Sequence, residues 1–155
     1  VLGSIKMRFS ASMSTEAVEA YGEGYTFGML LVDKSNLGGE TLRNAFKACD
    51  YDKNTFKSEY SGKAASWSSL PSINSDTNCY EFGANLSINE NDLVSARSQT
   101  WVVMWYAINV ETGQFVVTGS AEYNLTQVCE AELAKPAITS NIEKEALRFI
   151  GGISE

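Results

Sequence analysis

The chain has no histidine. Ser-His-Asp and Cys-His catalysis, histidine-bearing zinc sites and the usual pH-switch side chain all need an imidazole, so this one absence excludes them together. The three cysteines, Cys49, Cys79 and Cys129, lie far apart and form no CxxC pair, which argues against a zinc or redox motif. Both one disulfide with a leftover thiol and three buried apolar side chains remain open. Positive charge is scarce: 12 lysines and arginines stand against 19 acids, for a net charge of -7, and the cations are scattered. A nucleic-acid partner, which needs a positive stripe, is not expected. No apolar run approaches the ~18 residues of a membrane-spanning helix. No methionine precedes Val1, which reads as a processed product or a fragment, and a removed leader would leave no trace.

What remains is a globular composition, 44% hydrophobic and 20% charged over 155 residues, enough for one core of ordinary size. Strand patterns dominate. Ile5 to Met13 alternates, Ser14 has the chemistry of an N-cap for a short helix through Glu16 to Ala20, and Gly22 and Gly24 end it. Tyr25 to Val32 reads as a buried strand. Residues 40 to 48 fit a short helix or a strand equally. The serine-rich stretch from Asp50 to Asn78 reads as loop with one edge strand near Phe56 to Tyr60. Cys79 to Ile88 alternates with Tyr80, Phe82, Ala84, Leu86 and Ile88 on one face. Thr100 to Val110 is apolar on both faces, so both must be covered or one must bind something. A turn at Glu111 to Gln114 returns the chain through Phe115 to Leu125, with Phe115, Val117, Ala121, Tyr123 and Leu125 on one face. Thr126 to Leu133 suggests a helix that Pro136 stops.

The end of the chain repeats its first strand. Met7, Phe9, Ala11 and Met13 give large, aromatic, small, large; Leu147, Phe149, Gly151 and Ile153 give the same order, and Arg8 and Arg148 follow the first member of each. Such a copy fits the equivalent slot of a neighbouring molecule, the start of a second repeat, or a chance likeness between strands. Taken as an exchanged strand, it divides the chain into a domain at residues 1–134, a connector at 135–144 and a terminal strand at 145–155. Leu147, Arg148, Phe149, Ile150 and Ile153 then form a subunit interface.

Two Asn-x-Ser/Thr triplets, at Asn85 and Asn124, are candidate glycosylation sites that the alternation turns outward. Trp67, Trp101 and Trp105 are candidates for stacking on sugars, set against a place in the core. Asp50-Tyr51-Asp52-Lys53-Asn54 opens like a calcium loop, but Thr55 and Ser61 stand at the two diagnostic positions, so a polar turn is the better reading. Acid pairs can be drawn among Glu81, Asp92, Glu111 and Glu122 with nothing to fix their separation. No catalytic residue, metal or cofactor is expected.

Gly3-Ser4-Ile5-Lys6 running into Met7-Arg8-Phe9, the strand Tyr25 to Val32, and Trp105-Tyr106-Ala107 followed by a hairpin and a short helix at Gln127-Val128 carry a resemblance. Across residues 3 to 133 the chain resembles a β-rich domain of large cell-surface proteins of gram-positive bacteria. The resemblance implies an extracellular β-sandwich with small helical decorations and no activity. It departs at Ala146-Leu147-Arg148-Phe149, which matches the family's opening better than the N-terminus does.

The expectation is therefore a mainly β chain: an Ig-like antiparallel β-sandwich with one or two short helices and an extended C-terminal strand. Its expected role is a structural subunit of an extracellular fibre or surface layer, polymerising head-to-tail with identical subunits by strand complementation. The alternative is a cell-surface adhesion or carbohydrate-binding module with glycans as partners.

Overall fold

The computed structural model describes residues 4–154, of which Ser4 is described in its backbone only. Among the described residues seven strands are formed: β1 (Ser4–Ser14), β2 (Tyr25–Asp33), β3 (Lys63–Trp67), β4 (Ile73–Asn74), β5 (Cys79–Asn89), β6 (Thr100–Asn109) and β7 (Phe115–Asn124). Helices lie between and after them: α1 (Thr15–Tyr21), α2 (Leu42–Ala48), α3 (Lys53–Tyr60), α4 (Leu93–Ser98), α5 (Leu125–Leu133) and α6 (Asn141–Gly151). Helix and strand take nearly equal shares, 37% and 38%. The chain is thus mixed α/β, which corrects the expectation of a mainly β protein. No helix among the described residues is long and apolar enough to cross a membrane.

The strands make two antiparallel sheets, one ordered β1-β5-β4 and the other β3-β2-β6-β7. Alternation decides how they meet, because the two faces of a strand point opposite ways. Met7 and Phe9 of β1 and Leu86 and Ile88 of β5 share a core with Met29, Leu31 and Val103 of the larger sheet. The opposite face of that sheet carries Leu30, Val32, Met104 and Tyr106, and these pack on Leu42, Phe46 and Phe56 of α2 and α3. The central strands β2 and β6 are therefore covered on both sides, by a sheet and by helices, which is one of the two outcomes the apolar run of β6 allowed.

Local chemistry explains most boundaries. The Ser14 side chain accepts from the Ala17 amide at 3.1 Å and opens α1, and Gly22 at φ 79° closes it. Thr41 accepts from the Asn44 amide at 3.1 Å, which settles the ambiguous segment as α2. Residues 53–60 are helical, which corrects the edge strand expected there: the Asp52 carboxylate caps α3 by accepting from the Asn54 amide at 3.1 Å and the Thr55 hydroxyl at 2.8 Å. Phe56 inserts fully into the core, edge-on to Phe46. The same carboxylate contacts make the DxDxN sequence a helix cap, in keeping with the polar-turn reading.

A bulge changes the face assignment of β7. Trp105 pairs with Gly119 but Tyr106 pairs with Val117, leaving Thr118 as the extra residue. Phe115 and Val117 consequently face the helices, while Ala121 turns toward the other sheet and Tyr123 meets Phe9 edge-on at 5.3 Å. The expectation that these four share one face with Leu125 is corrected by that one inserted residue, and Leu125 itself opens α5.

Candidate functional site

Of the terminal strand expected at 145–155, residues 145–151 belong to the helix α6, and Glu155 lies outside the described residues. The apolar residues of the segment recur at helical as well as strand spacing, and without a strand beside it only the helix satisfies its backbone internally. Leu147, Ile150 and Ile153 pack against the chain's own core, whereas Phe149 is 51% exposed. Arg97 of α4 holds the end of this helix. Its guanidinium donates to the carbonyls of Phe149 and, at 3.1 Å, Ile150, and lies 5.9 Å from the Phe149 ring centre. The Thr126 hydroxyl donates to the Gly151 carbonyl at 2.7 Å, so the carbonyls left over at the helix terminus are met by side chains. Gly151 is required here: a Cβ on it would stand 2.8 Å from Cβ of Cys129. The segment is thus docked on its own chain, and the assignment of Leu147, Arg148, Phe149, Ile150 and Ile153 to an exchanged interface strand is withdrawn.

The two glycosylation candidates separate. Asn85 is exposed on the outer face of β5. Asn124 is not free to face outward: its Nδ2 donates to the carbonyls of Arg97 at 2.8 Å and Gln99 at 3.2 Å, and its Oδ1 accepts from the Gln127 amide as the cap of α5. A glycan would have to replace a hydrogen already used for docking. Strand alternation missed this because Asn124 is the point where strand becomes helix.

The tryptophans do not form an open platform. Trp67 stacks on Trp105 with centroids 5.9 Å apart and meets Phe82 edge-on at 5.1 Å, between the sheets. Trp101 is partly buried against the same inter-sheet core, with its Nε1 enclosed and unpaired. Tryptophans on the inner face of a central strand pack before they bind. The acids disperse as well: Glu122 pairs with Lys34 at 3.0 Å, and Glu81 accepts from Asn74 at 2.9 Å. Among the described residues no three His, Cys, Asp or Glu side chains gather around a possible metal position.

Two features remain that sequence reading did not single out. The first is a cleft of about 1000 Å³ on the helix-facing side of the larger sheet, beyond the end of α2. Val102, Met104 and Val117 form its apolar floor, and the Lys34–Glu122 ion pair and Arg43 stand on its walls. Glu40 at its rim accepts from the Asn44 amide group at 2.9 Å and the Thr41 backbone at 2.8 Å, contacts that hold its carboxyl below the ordinary range.

The second is the outer edge of β1. All eleven residues of this strand pair with β5 in one unbroken register, Ser4 with Asn89 through Ser14 with Cys79, and among the described residues no strand pairs with its other side. The phase of the ladder follows from one bond. The Thr15 amide donates to the Asn78 carbonyl at 3.2 Å, continuing the β1–β5 register, so odd-numbered residues turn their backbone groups to β5. Lys6, Arg8, Ser10 and Ser12 turn theirs to the open side. The other long edge, β7, carries the bulge, a known device for blunting edges; β1 carries none.

No family model, no curated protein and no solved structure matches this chain.

Proposed function

We propose that the chain is a structural module of an extracellular or cell-surface assembly, and that it joins other polypeptides by accepting a strand on the open edge of β1. The supporting observation is that edge: long, regular, free of proline and bulges, with amide and carbonyl groups in alternation facing outward. Strand addition satisfies such groups and extends the sheet, and inner-face residues such as Met7 and Phe9 give the added strand an apolar surface to continue. This keeps strand complementation as the mode of assembly but assigns the chain the accepting role, since its own terminus is a docked helix. Two sheets facing one another across a shared core are read accordingly as a sandwich decorated by helices.

The test uses a labelled peptide copying residues 79–89 with Cys79→Ser, the natural partner sequence of β1. Binding to the intact chain is expected, with at least a tenfold loss in Ser10→Pro. That proline removes an outward amide while leaving the β1–β5 ladder its donors. Absence of binding, or equal binding by a folded Ser10→Pro variant, would overturn the proposal.

The cleft favours a second reading, a surface adhesion module. Its aliphatic floor and polar walls fit a chain ligand that presents one apolar group among hydrogen-bonding ones. Methyl chemical shifts of Val102, Met104 and Val117 recorded against panels of glycans and peptides test it; no shift with either panel would remove it.

A further inference from the structure

We infer that the strand added to β1 is β1 of a second copy, paired antiparallel about Phe9 so that two molecules share one continuous six-stranded sheet. The inference rests on the edge-acceptor reading and names its partner. In an antiparallel self-pair each residue faces one whose number is its reflection through the centre, and the centre decides which charges meet. With Phe9 on the two-fold axis, Ile5 faces Met13 and Met7 faces Ala11, so the apolar inner face runs across the junction. On the outer face Lys6 meets Ser12 and Arg8 meets Ser10; no cation meets a cation. Shifting the centre by one residue to Arg8 sets the two arginines directly opposite, which is destabilising in a cross-strand pair.

The backbone phase admits this centre, as it does any centre that falls on a residue of the strand. The residues whose amides and carbonyls face the open edge are the even-numbered ones, by the phase of the Thr15–Asn78 bond. Arg8 with Ser10 and Lys6 with Ser12 are then hydrogen-bonded pairs, each exchanging two bonds, and the two Phe9 residues form the closer, non-hydrogen-bonded pair. The contact is isologous: each strand edge is used up by the other, so it closes as a dimer and does not propagate a filament.

Position 10 provides a test in which local and global electrostatics oppose each other. Each chain carries a net charge of -7, so a further negative charge at an unspecific interface should weaken association and a positive one should strengthen it. In the proposed register residue 10 stands opposite Arg8 of the other copy, twice per dimer; the Arg8 guanidinium lies over Gly83 of β5 in the single chain and turns to the edge to meet its partner. Ser10→Asp should tighten the dimer roughly fivefold and Ser10→Arg should loosen it by a similar factor, the size expected of two cross-strand charge pairs. Sedimentation equilibrium of the two variants and the unsubstituted chain reads this directly. As a second measure, spin labels at Lys6→Cys and at Ser12→Cys, in a Cys79→Ser background, should give equal separations of about 20 Å across the dimer, because both sites lie three residues from the axis. An order in which Ser10→Arg associates as tightly as the unsubstituted chain or more so, or unequal label distances, would overturn the register. A chain that stays monomeric at every concentration yet binds the 79–89 peptide would overturn the self-pairing alone, and loss of both would overturn the acceptor reading as well.

Discussion

Gly28 and Tyr106 are opposite one another on β2 and β6, and the tyrosine ring lies over the glycine so closely that a Cβ there would stand 2.3 Å from Cζ of Tyr106. A glycine inside a strand pattern signals such an approach, but only the pairing names what approaches. Gly28→Ala should cost about 1 to 3 kcal/mol by overpacking, read from the urea midpoint of unfolding. The tyrosine itself is a titration probe. Burial pushes its hydroxyl up to about 12, above the ordinary tyrosine value of about 10. The unfolded chain therefore releases this proton first, and stability should be unaffected below pH 10. It should then fall by roughly 2 to 3 kcal/mol as pH rises from about 10 to about 12. Urea midpoints across that range should show the fall in the unsubstituted chain and a smaller one in Tyr106→Phe.

At the scale of elements, α6 is informative because two periods compete in one sequence. Leu147, Phe149, Gly151 and Ile153 satisfy a strand face, while Leu147, Ile150 and Gly151 recur at the i, i+3, i+4 spacing of a helix face, and residue pattern alone does not arbitrate between them. Arg97 does: it lies 52 residues from the Phe149 carbonyl it meets, a separation no local pattern carries. Arg97→Ala should therefore cost about 1 to 2 kcal/mol through the lost carbonyl bonds. Phe149→Ala, at a half-exposed position, should cost less than about 1 kcal/mol in place of the 3 to 5 that a buried aromatic would. Denaturant unfolding of the two variants ranks them, and a larger loss from Phe149→Ala would mean that the helix is held by its outer face. The Thr118 bulge is the same lesson in β7: one inserted residue exchanges the faces downstream, and alternation has no way to register it.

Across the whole molecule, the cysteines distinguish its layers. Cys49 lies buried in the helix-covered core and Cys129 beside α6, and burial raises both thiols above their ordinary range; Cys79 is partly exposed at the start of β5. A thiol reagent at neutral pH should modify Cys79 first and the other two only at the rate of unfolding, as mass spectrometry of timed samples would show. Rapid native-state labelling of Cys129 would mean that α6 opens on its own. The amino-acid sequence by itself determined β1, β2, β5 and β6, the cap at Ser14 and the apolar character of both faces of β6. Each of these rests on the period of neighbouring residues or on the chemistry of one side chain with its adjacent backbone. Only the tertiary structure decided that the terminus is a helix, that Asn124 is committed, that the tryptophans lie between sheets and that β1 keeps an open edge. These depend on which distant groups arrive beside a segment, and a polar group or a strand edge has no fixed role until its neighbours across the fold have been assigned.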